Sequence, residues 1–300
     1  MPRRILIIFN PMAGPAWRFA ARLRRVVAEL ERRGCFVEVR STRAPGDAER
    51  LAREASPTFD LIAAAGGDGT VNEVVNGLFA ASRPMAVLPL GTGNVLATEV
   101  VMPRNPRRLA KVLADAEAKP IWPGRTGRRL FVAMTGVGFD AQVLAALDPN
   151  LKRRIGKLAV AWAILLCVCR YRRREFVVTA PDPHRVSSAI VTKGRFYAGR
   201  FVIAPDARVD DPRFHILLFR RAGRLAVIRY LAAMILGVVH RLPDVSIVTA
   251  RRVLVTAGES DECGTAVVET DGEVGSRLPL VIEIAEHPVL LVRPTPTRQR

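Results

Sequence analysis

The chain is poor in sulfur, histidine and lysine. Its four cysteines, at 35, 167, 169 and 263, make no Cys-x-x-Cys pair, and its four histidines, at 184, 215, 240 and 287, are scattered. That spacing argues against a zinc centre, and so few cysteines in 300 residues argue against a disulfide framework. Both fit a reducing cytoplasm. Long apolar runs are missing too. The longest uncharged one, Leu158–Cys169, has twelve residues, against the ~20 needed to span a bilayer. The opening MPRRILIIFNP carries only five apolar residues in a row, too few for the apolar region of a signal peptide, and reads as a first strand. Aromatics make up 6% of the chain and are not interleaved with basic clusters, so no nucleic-acid module is expected. Neither GxxxxGK[ST] nor a GxGxxG after the first strand occurs, which excludes a P-loop and a dinucleotide fingerprint.

What is present is a core and a positive field. At 49% hydrophobic and 25% charged residues the chain folds, and its length suits two domains. The net charge of +18 favours anionic partners, although only five of the 46 basic residues are lysine and the arginines are spread throughout, as compositional bias would also produce.

The first part alternates strand and helix signals. Ile5–Phe9 reads as a buried strand. WRFAARLRRVVAELERRG follows, with Phe19, Leu23, Val26, Val27 and Leu30 at helical spacing and Gly34 as a stop. CFVEVRS reads as a strand, PGDAERLAREA as a helix, Asp60–Ala65 as a strand, Val71–Phe79 as a helix and PMAVLPL as a fourth strand. Repeated βα units predict a doubly wound parallel sheet. Near residue 120 the pattern turns to short alternating runs such as LFVAMTGVGFDA, EFVVTA, SAIVTK, FHILLF, RVLVTA and AVVETDGE, which predict an antiparallel sandwich. Two helical segments, Ile155–Tyr171 and Leu225–His240, interrupt them. The expected division is residues 1–120, completed by 288–300, as an α/β domain, and 121–287 as a β-sandwich domain.

Parallel sheets bind ligands at the carboxyl ends of their strands. Three glycine-bearing loops fall there: FNPMAG after the first strand (Asn10, Gly14), GGDGT after the third (Gly66, Gly67, Asp68, Gly69, Thr70) and PLGTGN after the fourth (Gly91, Thr92, Asn94). Glycine lets backbone N–H groups approach phosphate oxygens, and a following helix adds partial positive charge. In the second part VVETDGEV sets Asp271 and Glu273 around Gly272; strand alternation would point both carboxylates to one side, while Asp-Gly is also a hairpin signal. PDARVDDPRF clusters Asp206, Asp210 and Asp211, either as Mg²⁺ ligands or as a solvated loop.

In these motifs the chain resembles the diacylglycerol kinase catalytic-domain family, in particular bacterial soluble lipid kinases. The matching stretches are NPMAG (10–14), Thr42 in VRSTRAPGDA, GGDGTVNEVVNGL (66–78), LPLGTGN (88–94), GVGFDA (136–141), YAGRFVIAPDA (197–207) and TDGE (270–273). The resemblance implies ATP held in a cleft between an α/β domain and a β-sandwich domain. The nucleotide would be bound by Asn10, Gly14, Thr42, Gly66, Gly67, Asp68, Gly69, Thr70, Val71, Asn72, Gly91, Thr92 and Asn94. It implies Glu273 as proton acceptor with Asp271 beside it, and Asp68 near the phosphates or the metal. It also implies Mg²⁺ in the acidic loop, on the carboxylate of Asp211 and backbone carbonyls of Arg208 and Arg213, with Asp210 adjacent.

Two positions depart from the family pattern. Pro212 follows Asp211 where a glycine is usual, and Trp122 follows Ile121 where an aspartate is usual. The expected activity is γ-phosphoryl transfer to the hydroxyl of diacylglycerol or a related glycerolipid. A sphingoid or other lipid acceptor, or a silent protein binding nucleotide and membrane, are the alternatives. The apolar helix in residues 151–176, bracketed by arginines such as Arg172, Arg173 and Arg174, either lies on anionic phospholipid or packs into the core. The expected location is peripheral, at the inner membrane surface, and a homodimer is left open.

Overall fold

The structure, a computed structural model, describes residues 3–13, 16–81, 83–91, 93–147, 157–258, 267–271 and 273–294. Gly14, Thr92 and Gly272 therefore lie outside the described residues, and Glu273 is described by its backbone alone. The chain divides into two compact units, residues 1–122 with 286–300, and residues 123–285.

The first unit runs β1 (Arg4–Phe9), α1 (Ala16–Arg32), β2 (Phe36–Ser41), α2 (Asp47–Arg53), β3 (Leu61–Gly66), α3 (Asp68–Leu78), β4 (Met85–Pro89), α4 (Val95–Glu99), α5 (Pro106–Asp115) and β5 (Ala118–Ile121). Ile5–Phe9 and every residue of β3 and β4 are buried, as strands covered on both faces must be. Each such Leu, Ile or Val removed from water contributes ~1.5–3 kcal/mol. α1 turns Leu23, Val26 and Leu30 inward, as its spacing predicts, and ends at Gly34 with a left-handed φ of 80°. α3 starts at Asp68, three residues before the expected Val71, because the chain straightens only at Gly67 and turns helical at once. α5, which the periodicity reading did not foresee, begins on Asn105, whose Oδ1 accepts from the N–H groups of Arg107 and Arg108, with Pro106 in the first turn.

The second unit holds β6 (Gly124–Thr126), β7 (Arg129–Phe131), β8 (Met134–Val137), α6 (Phe139–Ala145), α7 (Lys157–Cys169), β9 (Phe176–Thr179), β10 (Pro183–Val186), β11 (Ser188–Thr192), β12 (Phe196–Tyr197), β13 (Phe201–Val202), β14 (Phe214–Phe219), α8 (Arg224–Ile235), β15 (Val245–Ala250), β16 (Arg252–Ala257), β17 (Val267–Thr270), β18 (Glu273–Arg277) and β19 (Leu280–Ile284). Among the described residues they form two six-stranded sheets, ordered β10-β9-β16-β19-β6-β7 and β15-β14-β11-β8-β17-β18, and a two-stranded ribbon, β12-β13. Phe131 of the first stacks on Phe214 of the second at 5.9 Å between ring centroids, so the two layers share one core. LFVAMTGVGFDA is not one strand: Gly138, at φ 93°, ends β8 and starts α6. α8 stops well short of His240 because Gly237 adopts a left-handed φ of 70°.

The chain then returns as β20 (Val289–Val292), which pairs parallel with β4 and antiparallel with β5. The first unit's sheet is thus β2-β1-β3-β4-β20-β5.

Candidate active site

In the first unit β1 lies between β2 and β3, so the loops leaving β1 and β3 part in opposite directions, which is where open α/β sheets take ligands. The loops after β1, β3 and β4 are fastened to one another. The Asn10 N–H donates to the Ala65 carbonyl at 2.9 Å, and the Asn10 side-chain amide donates to Thr70 Oγ1 at 3.0 Å. The N–H groups of Leu90 and Gly91 both donate to the Gly66 carbonyl, at 3.2 and 3.0 Å. A Cβ on Gly91 would strike the Cα of Gly67, and one on Gly66 the side chain of Thr70. Only glycine allows the two loops to approach this closely.

The expected nucleotide residues divide here. Asn10, Gly66, Gly67, Asp68, Gly69, Thr70, Gly91 and Asn94 come together at this one edge, and Thr42, at the end of β2, joins it by donating its N–H to the Phe9 carbonyl at 2.9 Å. Val71 is buried toward the core. Asn72 is also buried, and its Oδ1 accepts from Asn76 one turn on, at 2.8 Å. Asn94 closes its own loop, with its Oδ1 accepting from Gly91 N–H at 3.0 Å and its amide donating to the Gly91 carbonyl. Asp68 Oδ1 accepts the Val95 N–H at 2.7 Å, which caps α4. First-turn N–H groups of a helix have no acceptor within it, so the start of α3, over Asp68–Thr70, presents donors suited to phosphate.

In the second unit the hairpin signal prevails over simple alternation. Thr270 pairs with Glu273 across β17 and β18, and Asp271 turns the chain at φ 48°. A left-handed residue leaves the strand's alternation, so Asp271 does not sit two positions along one face from Glu273. Its carboxylate reaches back instead. Oδ2 accepts from Val132 N–H at 2.8 Å, and Oδ1 from Ala133 and Met134 N–H, both at 2.9 Å.

The acidic loop is where the expected Mg²⁺ ligands must be weighed. The Asp211 carboxylate takes three contacts from the Arg213 guanidinium, the shortest 2.8 Å, and this pairing holds its pKa below the usual carboxylate value. Asp210 is paired with Arg208 at 3.0 Å, and the Arg208 carbonyl accepts the Asp211 N–H at 3.1 Å. The Arg213 carbonyl accepts from the ammonium of Lys193 at 2.8 Å, and the Asp211 carbonyl accepts from the same ammonium at 2.5 Å. Lys193 was not among the sequence candidates. It is 1% exposed, and burial brings its pKa down to about 8. A Mg²⁺ ion within ~2.1 Å of the Arg213 oxygen would lie within about 5 Å of that ammonium. At an effective dielectric of ~20 their repulsion is about 7 kcal/mol. This donor set does not fit a divalent ion.

Sequence reading also missed a buried acid cluster. Asp140 on α6 and Glu269 on β17 meet beside Gly136, and the Tyr197 hydroxyl donates to Asp140. Burial raises the Asp140 pKa, and burial beside these carboxyls drives that of Tyr197 well above its usual value. Burial, the dominant cause, thus favours the neutral form of Asp140.

Comparison with known proteins agrees with this layout. Residues 4–126 match the family described as Diacylglycerol kinase catalytic domain, and residues 133–293 match the YegS C-terminal NAD kinase beta sandwich-like domain. A diacylglycerol kinase of Bacillus subtilis (strain 168) is 30% identical over 286 residues, 92% of each chain. A Chromohalobacter salexigens protein named "Probable lipid kinase YegS-like" is 30% identical over 70% of each chain. A crystal structure of a diacylglycerol kinase from Bacillus anthracis str. Sterne shares the fold, at a TM-score of 0.74, 23% identity and 97% coverage of both chains. The matched catalytic domain and these relatives show a lipid kinase, and membership of a kinase family implies ATP as donor. The chain belongs to the diacylglycerol kinase catalytic-domain family.

Proposed function

We propose that the acceptor is diacylglycerol or a closely related glycerolipid, and that its free hydroxyl receives the γ-phosphoryl group of ATP. The acceptor reading is supported by the likeness to a diacylglycerol kinase over nearly the whole chain. The first unit supplies the nucleotide edge of Asn10, Thr42, Gly66–Thr70, Gly91 and Asn94. Asp68 is the carboxylate that would face the Mg²⁺ accompanying the nucleotide, which supplies neutralising charge at the phosphates when bound.

The second unit supplies the proton acceptor. The observation that carries this assignment is the engagement of Asp271. A carboxylate whose two oxygens already accept three backbone N–H groups is committed to holding the turn, which favours Glu273 across the hairpin as the proton acceptor. As the lipid oxygen bonds to the γ-phosphorus, the bond to the bridging oxygen breaks, ADP leaves and the hydroxyl proton passes to Glu273. The test is transfer of labelled phosphate from ATP to micellar diacylglycerol, phosphatidylglycerol, sphingosine and ceramide. Diacylglycerol should be labelled fastest; faster labelling of a sphingoid lipid would overturn the acceptor reading.

The same reading places the enzyme on anionic phospholipid. Among the described residues no helix is long and apolar enough to cross a membrane. Yet α7 exposes Trp162 and Leu165, and the adjacent α8 exposes Leu225, Ile228 and Ile235, with Leu236 just beyond its end 74% exposed. At three, ten and eleven positions beyond Leu225, the side chains of Ile228, Ile235 and Leu236 fall on one face with it, so the helix turns an apolar face to solvent besides the one it buries through Val227, Tyr230 and Ala233. Arg170, Arg172 and Arg173 follow α7, and Arg224 opens α8. Basic residues near an anionic surface contribute ~1 kcal/mol each. Sedimentation with phosphatidylglycerol-containing vesicles should weaken at least ~10-fold in Leu225→Ser/Leu236→Ser. Equal sedimentation of wild type with neutral phosphatidylcholine vesicles would contradict the anionic preference.

A further inference from the structure

We propose that the ammonium of Lys193 takes the place of a divalent cation in this kinase, so that the loop 206–213 is held by an internal charge and needs no metal. The inference goes beyond the lipid kinase reading and does not depend on its acceptor. Lys193 follows β11, and its backbone N–H donates to the Ala133 carbonyl at 2.8 Å, which fixes the base of the side chain. From there the buried stem delivers Nζ to two carbonyl oxygens of the loop, those of Asp211 and Arg213. Beyond these two partners the ammonium faces the Phe214 ring, 5.5 Å from its centroid, a favourable position for a cation.

The rest of the loop is consistent with one internal cation. Two of the loop's carboxylates are neutralised by arginines of the loop itself, Asp211 by Arg213 and Asp210 by Arg208. Pro212 joins the two residues whose carbonyls Lys193 holds, and its fixed φ narrows the loop's choice of shape. A lysine is also a rare choice in this chain, which has five against 41 arginines. Its ammonium brings both hydrogen bonds to one nitrogen, a point charge between the two carbonyls, whereas a guanidinium spreads them over two nitrogens.

The experiment uses the full chain without nucleotide. Mn²⁺ binding to wild type and to Asp211→Asn is followed by electron paramagnetic resonance. Thermal unfolding of wild type and Lys193→Met is recorded with chelator and with millimolar Mn²⁺. We expect wild type to hold no Mn²⁺ that Asp211→Asn loses, and to melt at the same temperature in both conditions. Lys193→Met should melt about 5 °C or more lower in chelator and recover part of that loss with Mn²⁺. A wild-type Mn²⁺ site lost in Asp211→Asn would overturn the proposal. So would a Lys193→Met deficit equal in chelator and in Mn²⁺, because the ammonium would then be a structural buried charge and not a substitute for metal. If Lys193→Met does not fold, the wild-type and Asp211→Asn measurements decide alone.

Discussion

The carboxylate of Asp68, in the first turn of α3, accepts the backbone N–H of Val95, in the first turn of α4, at 2.7 Å. One aspartate thereby ties the start of the helix after β3 to the start of the helix after β4, and gives this edge of the sheet a fixed shape. Replacing it separates two roles. Asp68→Asn keeps an oxygen acceptor for Val95 but loses the charge, so thermal stability should change little while kcat falls ~100-fold or more. Asp68→Ala should also lose the cap, at about 1 kcal/mol. Unchanged turnover in Asp68→Asn would reduce Asp68 to a cap.

Gly91 tests the nucleotide edge without touching a charge. An added Cβ meets the Cα of Gly67, backbone against backbone, and neither loop can yield without breaking the two hydrogen bonds on the Gly66 carbonyl. Gly91→Ala should weaken ATP binding at least ~10-fold by calorimetry while the second unit stays folded. ATP binding within twofold of wild type would show that the two loops need not meet for nucleotide to bind.

The buried cluster predicts a pH effect on stability. Burial raises the Asp140 pKa above its ordinary 3.8, so the folded protein binds this proton more tightly than the unfolded chain. The stability it contributes is complete below the ordinary value and is lost as pH rises through the folded one. Asp140→Asn, which can still accept from Tyr197, removes that loss. Urea unfolding between about pH 4 and about pH 8 should show wild type declining more steeply than Asp140→Asn. Parallel curves would mean that Asp140 ionises no differently in the folded protein.

These cases also show what was legible in the sequence. The apolar run Ile5–Phe9 and the three glycine loops declared a parallel sheet with closely approaching loops at one edge, because a strand buried on both faces and a loop without Cβ atoms are both written in residue type. For Asp271 the residues left two readings open, alternation and a hairpin turn, and its left-handed φ decides for the hairpin, because alternation holds only while φ stays extended. α5 had an announced start in Asn105-Pro106, a cap and first-turn pair that periodicity alone passes over. The Asp140, Tyr197 and Glu269 cluster draws on three separate elements and has no local signature. Lys193 was hidden for another reason: its partners are backbone carbonyls, which every residue has, so only the rarity of lysine in an arginine-rich chain marked it.

The central claim is that the second unit's hairpin supplies the base, with Glu273 taking the proton and Asp271 holding the turn. Its most direct measurement is initial-rate transfer of labelled phosphate from ATP to micellar diacylglycerol by wild type, Glu273→Gln and Asp271→Asn, with thermal unfolding of each. Glu273→Gln should keep its melting temperature and ATP affinity while kcat falls ~100-fold or more. Asp271→Asn should lose stability, because one of the N–H groups of Val132, Ala133 and Met134 then faces an amide nitrogen, at about 1–3 kcal/mol. Full turnover in Glu273→Gln, or no transfer to any lipid by folded, ATP-binding wild type, would contradict the account.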